Sequence, residues 1–142
     1  MKKFIWLVII LVIIWGGYVF YKNGDSINEK NFTSVDQLTT SDKEQIAQAI
    51  VKGENIIRSG DTNAIKNLIK KTKPNLNVDQ LPDQALISLG QMSSQSEPIT
   101  KEDILDSTNW SVSQNKVSII VKKGKISSLM RATYINGEWF RD

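Results

Sequence analysis

The sequence predicts an α+β protein, with an N-terminal transmembrane helix followed by helices packed on one face of a four-stranded antiparallel meander. Three observations carry this reading. Residues Phe4 to Tyr21 form an uncharged apolar run; capped segments of helical period recur between 40 and 106; and from Trp110 onward the period switches to two, broken by turn residues. The chain accordingly divides into a cytoplasmic stub and signal anchor (1–21), a polar tether (22–39) and an extracytoplasmic α+β domain (40–142).

The apolar run comes first. Its eighteen residues, almost all Ile, Leu, Val, Trp, Phe or Tyr, cover about 27 Å as a helix, close to a hydrocarbon core of roughly 30 Å. A cleaved signal peptide carries a shorter apolar region, about 7 to 15 residues, followed by small residues at the cut. The one such site, Gly24-Asp25-Ser26, follows Lys22, and Trp15, Tyr18, Phe20 and Tyr21 suit the headgroup level, so the run reads as an uncleaved anchor. Lys2 and Lys3 precede it, while Asp25 and Glu29 follow Lys22, which places the N-terminus in the cytoplasm and residues 22–142 outside it. The lipid bilayer is then the first partner. The stretch KNGDSINEKNFTSVDQLTT is polar and without sustained periodicity, hence a tether.

The helical part opens at TSDKEQIAQAIVKGENIIRSGD. Ser41 and Glu44 have capping-box spacing, and Ile46, Ala49, Ile50, Gly53 and Ile57 share one face. Gly60 suits the stop; Asp61 or Thr62 caps a second helix bearing Ile65, Leu68 and Ile69, which ends before Pro74. LPDQALISLGQM predicts a third helix with Pro82 near its first turn, and Thr100 with Asp103 caps a brief fourth.

Four strands follow, turning at Asn115-Lys116, Lys123-Gly124 and Asn136-Gly137, of which Asn-Gly is the strongest hairpin signal. This register sets Trp110 against Val121, Val112 against Ile119, Val117 against Met130, Val121 against Ile126 and Tyr134 against Trp139, all on one side. A slip of one residue would reverse the whole apolar set. The other face carries Ser111, Ser113, Ser118, Ser127, Arg131 and Thr133, and among them Ile120, Leu129, Ile135 and Phe140. Phe140 falls opposite Thr133 and near Ile135, with Ile120 diagonal to Leu129, so two apolar clusters flank Arg131. Contiguous apolar residues with a polar centre mark Ile120, Leu129, Arg131, Thr133, Ile135 and Phe140 as a partner-binding face, for a second copy or another envelope protein.

A helix ending in RSGD, a second short helix and a meander closing on INGEWF resemble the small nuclear-transport-factor-2-like (cystatin-like) domains often found behind bacterial membrane anchors, over residues 40–142. The resemblance implies a sheet curved around helices into a cone, which in that family holds a ligand, serves as a catalytic cavity or merely packs. It also implies association through the sheets, common among similar domains. A ligand-holding cone would here be lined by Gln114, Ser128, Tyr134 and helix residues. The segment 74–100 departs from the fuller members in lacking an extra strand pair.

Composition narrows the function classes. With no His and no Cys, His-based triads, thiol nucleophiles, disulfides and the usual zinc sites fall away; Ser and Lys are too frequent for a catalytic pair to be singled out, so the chain is read as a non-enzyme without cofactor or metal, with a small enzyme as the least favoured alternative. Glu102, Asp103 and Asp106 form the densest acidic group, and their spacing suits the start of a short helix, where negative charge is favoured. Removing Lys2 and Lys3 from the 18 basic residues leaves 16 against 15 acidic ones, a net +1 that argues against nucleic acid as a partner. Lys66, Lys70, Lys71 and Lys73 on the second helix, and Lys122, Lys123 and Lys125 at a hairpin, read as solvated faces. Trp110, Tyr134 and Trp139 read as core.

Overall fold

The structure, a computed structural model, describes residues 30–142; the predicted anchor, and the tether as far as Glu29, lie outside the described residues. Among the described residues no helix is long and apolar enough to cross a membrane. Asn31–Asp142 form one packed unit.

Helix α1 (Thr40–Ser59) starts two residues earlier than the Ser41–Glu44 spacing implies. The Thr39 hydroxyl accepts the Asp42 N–H at 3.1 Å, and the Asp42 carboxylate accepts the Thr39 N–H at 2.9 Å and its hydroxyl at 2.7 Å. Both spacings make a capping box, and the earlier one prevails where Leu38, just before it, is buried in the core. Gly60 closes α1 with φ 68°, the left-handed conformation that suits glycine. The Asp61 carboxylate then accepts the Ala64 N–H at 3.0 Å and opens α2 (Thr62–Thr72). A 3-10 turn at Val78–Gln80 leads to α3 (Asp83–Ser94), entered through Pro82, and the Thr100–Asp103 box opens the short α4 (Lys101–Leu105).

The sheet is a meander of β1 (Trp110–Ser113), β2 (Lys116–Lys123), β3 (Ile126–Ile135) and β4 (Glu138–Arg141), in that spatial order. Tyr134 pairs with Trp139 and Thr133 with Phe140, as the Asn136-Gly137 turn dictates. The other two turns are displaced by one residue each. Gln114 and Asn115 take φ of 49° and 62°, a conformation Asn tolerates and Lys116 does not need to adopt; Gly124, at φ 60°, takes the first central position of its turn. Pairs therefore move by two: Trp110 meets Ile119, Val112 meets Val117, Val117 meets Ala132, Ile119 meets Met130 and Val121 meets Ser128. A shift of two preserves every residue's face, so the inner set survives. Ile126 is the exception. It pairs with Lys123 at the hairpin end and is exposed.

Val117, Ile119, Val121, Met130, Ala132 and Trp139 pack against Ile46, Ala47 and Ile50 of α1 and Ile104 of α4. Helix α1 meets β3 and β4, α4 meets β2, α3 lies on α1, and α2 borders β4. The approach of α1 to β4 is close at Gly53, where an added Cβ would sit 2.4 Å from the Arg141 Cβ.

The end of the tether is part of this core. Phe32 is buried, its ring centroid 5.2 Å from those of Tyr134 and Trp139. Its N–H donates to Asn115 Oδ1 at 2.6 Å, and its C=O accepts the Asn115 N–H at 2.9 Å. Packing thus begins at Asn31 rather than at 40. One aromatic and one Leu, spaced six apart among polar residues, show no period from which burial can be read.

Candidate functional site

The face of the sheet turned away from α1 and α4 holds all six residues singled out by the alternation. Ile120 and Leu129 are directly opposite each other on the two central strands, not diagonal, and they are 43% and 53% exposed. Strands β2 and β3, each paired on both sides, carry them. Arg131, one pair further along, faces Ser118 and is exposed. Beyond it lies a shallow depression of about 370 Å³, bordered by Ser111, Ser113, Lys116, Ser118, Arg131 and Asp142. The apolar pair Ile120–Leu129 therefore stands between Lys122–Ser127 on the hairpin side and the polar, charged positions from Ser118–Arg131 onward.

The second expected cluster is different. Thr133, Ile135 and Phe140 are only half-exposed. Helix α2 borders the β4 edge, its Lys71 ammonium lies 5.2 Å from the centroid of the Phe140 ring, and Lys73 reaches Asp142 at 2.9 Å. Phe140 is thus a partly covered residue whose ring engages a cation, and the two equal apolar clusters reduce to one exposed pair with a shielded flank.

Two lysines of α2 and the one that caps it are matched by acids: Lys66 contacts Asp83 at 2.6 Å, Lys70 contacts Asp79 at 3.0 Å, and Lys73 contacts Asp142. Burial alone would raise the Asp142 pKa, but the hydrogen bond and charge of Lys73, with Lys116 adding, hold it below the ordinary 3.8. The acidic group near α4 also has a structural role. Asp103 accepts the Thr100 N–H at 2.9 Å and meets Lys123 at 3.3 Å. The backbone bond to Thr100 leads the causes that lower its pKa; burial opposes it, and the Thr100 hydroxyl and Lys123 reinforce it. Lys123 also donates to Pro98 O at 2.9 Å, so the β2–β3 hairpin is tied to the loop before α4. Among the described residues no three carboxylates gather where a metal ion could sit.

Sequence reasoning missed a cavity of about 510 Å³ between α1, the α3–α4 loop and the β2–β3 hairpin. Val121, Met130, Ile99 and Ser128 line it, together with Lys123, Lys125 and Glu54. Of the three sheet residues expected in such a cone, Ser128 is present. Gln114 lies at the far β1–β2 turn, and the Tyr134 ring stacks in the core 5.0 Å from Trp139. Glu54 is buried; its Oε1 accepts the Ser93 hydroxyl at 2.5 Å, and Oε2 meets the Arg141 guanidinium at 2.7 Å, as a charge contact without hydrogen-bond alignment.

No family model, curated protein or solved structure matches the chain.

Proposed function

We propose that the chain is a single-pass, membrane-tethered extracytoplasmic binding domain, working in an envelope assembly through the outer face of its sheet. The carrying observation is the Ile120–Leu129 pair, two large apolar side chains fixed opposite one another and exposed. Isolated exposed apolar residues are ordinary, whereas a contiguous pair flanked by polar strand positions suits association. Arg131, Lys116 and the serines beside it supply orientation at the rim. The membrane part of the proposal rests on the apolar run Phe4–Tyr21 with Lys2 and Lys3 before it. The resemblance to nuclear-transport-factor-2-like domains supports a sheet-to-sheet contact with a second copy or another envelope protein.

The test is Ile120→Lys with Leu129→Lys in the full-length protein, followed by crosslinking in membranes and sedimentation in detergent. Loss of the higher-mass species with an unchanged melting temperature supports the proposal; an unchanged assembly refutes it. Topology is tested separately: protease added to spheroplasts should digest residues beyond 22 and spare the N-terminus, and a soluble chain beginning near Ile27 would refute the anchor.

The cavity lined by Glu54, Val121 and Met130 favours a second reading, a cone holding a small, largely apolar ligand. Mass spectrometry of the protein purified under native conditions tests it, with a stoichiometric bound molecule as the supporting result and an empty protein as the refuting one.

A further inference from the structure

Strand alternation gathers the polar part of the outer sheet face into two rows. Ser111 pairs with Ser118 and Ser118 with Arg131, a row across β1, β2 and β3; Ser113 pairs with Lys116 in the next row, toward the β1–β2 turn. Residues two apart on a strand share a face, so all five side chains lie on the side away from α1 and α4. Lys116 stands diagonal to Arg131, a separation of about 7 to 8 Å that two long side chains close.

These five residues border the depression of about 370 Å³ on that face. Arg131 and Lys116 are exposed, and among the described residues neither has a carboxylate within ion-pair distance. The one acid that borders the depression, Asp142, is held at 2.9 Å by Lys73, which does not border it, so its charge is met from outside. The Ser111 hydroxyl donates to the Ser118 C=O over a long 3.4 Å, and the hydroxyls of Ser113 and Ser118 are free to turn toward a guest. An anion seated here meets a guanidinium fork, an ammonium group and two or three hydroxyl donors. A phosphate, with several acceptor oxygens, can use that many donors, whereas a carboxylate has only two oxygens to offer.

We infer that this depression is a binding site for a single phosphate group, gripped by Arg131 and Lys116 and oriented by the serines between and beside them. Arg131 supplies the paired N–H groups that match two phosphate oxygens, and Lys116 closes on a third from the neighbouring row. The site is bounded. Lys122, the next cation on this face of β2, is six residues and about 20 Å from Lys116, with the apolar Ile120 between, so there is no continuous track of positive charge for a polyanion to follow. The phosphate is that of a lipid headgroup or of a free phosphate ester, which share this chemistry. The inference goes beyond the protein contact proposed above and needs only the pairing of β1, β2 and β3; it holds whether or not Ile120 and Leu129 meet a partner.

The experiment titrates sodium phosphate into the nitrogen-15-labelled full-length protein in an uncharged detergent, with ionic strength held constant by sodium chloride, and follows the backbone amide resonances. Saturable shifts are expected at Ser113, Lys116, Ser118 and Arg131, with a dissociation constant of about 1 mM, as two or three charge-assisted contacts at an exposed site give. Lys116→Gln with Arg131→Gln should weaken binding about tenfold or more. Lys52→Gln with Lys122→Gln removes the same charge from two exposed positions elsewhere and should change it by less than about threefold, since distant exposed charges are screened. Arg131→Lys, which keeps the charge and loses the fork, should fall between the two. The source is read with glycerol phosphate and with glycerophosphoglycerol, the deacylated diester of a lipid headgroup: tighter binding of the diester assigns a headgroup, tighter binding of the monoester a free ester, and either supports the site. Absence of localised shifts up to about 10 mM phosphate, ten times the expected constant, overturns the inference. So does equal weakening in the two double variants, which would make the effect one of overall charge.

Discussion

Replacing Trp139 by Ala probes the register, the end of the tether and the core together. Trp139 is 6% exposed, and its ring centroid lies 5.2 Å from that of Phe32 and 5.0 Å from that of Tyr134. Truncation removes the transfer energy of a large aromatic and leaves a cavity between those two rings, a cost of about 3 to 5 kcal/mol. For a unit of this size, 1 kcal/mol corresponds to roughly 4 °C or somewhat more, so the melting temperature should fall by about 12 °C or more. Glu138→Ala, one residue away and exposed on the opposite face, should change stability by less than about 0.5 kcal/mol. Trp139→Phe isolates a second contribution. The indole N–H is buried without a hydrogen-bond partner, so losing it relieves a desolvated donor and offsets part of the lost area; Phe should cost less than half as much as Ala. Urea melts of the three variants, with near-ultraviolet circular dichroism as the packing signal, decide the matter. Equal shifts for Trp139→Ala and Glu138→Ala would refute the register, and a Phe variant as unstable as the Ala variant would refute the account of the indole.

Gly53→Ala should destabilise by about 1 to 3 kcal/mol in urea melts, because the new Cβ meets the Arg141 Cβ at 2.4 Å; a variant stabilised by the higher helix propensity of Ala would refute the close packing of α1 on β4. Arg141→Met leaves the buried Glu54 carboxylate without its charge partner and should cost about 3 kcal/mol, while Arg141→Met with Glu54→Met should recover much of that; a double variant no better than the single one would contradict the pairing. The pKa of Asp103 is lowered in the folded state, so its contribution is present above the unfolded value near 3.8 and is lost as pH falls through the folded value. Asp103→Asn should therefore destabilise at pH 7 and have a smaller effect near pH 2 (about two units below the unfolded value), and a pH-independent difference in melting temperature would refute this.

The helices were legible because their ends are marked chemically: Gly60, Asp61, Pro82 and the Thr100–Asp103 pair act where they stand in the sequence. Where two marks compete, as Thr39–Asp42 does with Ser41–Glu44, the choice depends on what lies behind the cap, here the buried Leu38. The sheet faces were legible because parity survives a two-residue shift, although the shift itself escaped a reading that placed Asn115 and Gly124 one position off in their turns. Leu129 and Ile120 were accordingly placed on the outward face, where they are exposed, and Phe140 was assigned a freedom it lacks. Nothing local announces that Lys71 of a distant helix will lie over that ring. The cavity at Glu54 was missed for the same reason, since it is bounded by segments tens of residues apart.

The proposed binding role is tested most directly by placing a photoreactive benzophenone side chain at position 129 and irradiating intact membranes containing the full-length protein. Leu76, a large apolar residue of comparable exposure (45%) outside the sheet, is the control position. The account predicts a discrete crosslinked product from position 129, to a second copy or to one other envelope protein, that vanishes when Ile120→Lys is added and has no counterpart from position 76. No product at 129, or the same products from both positions, would contradict it.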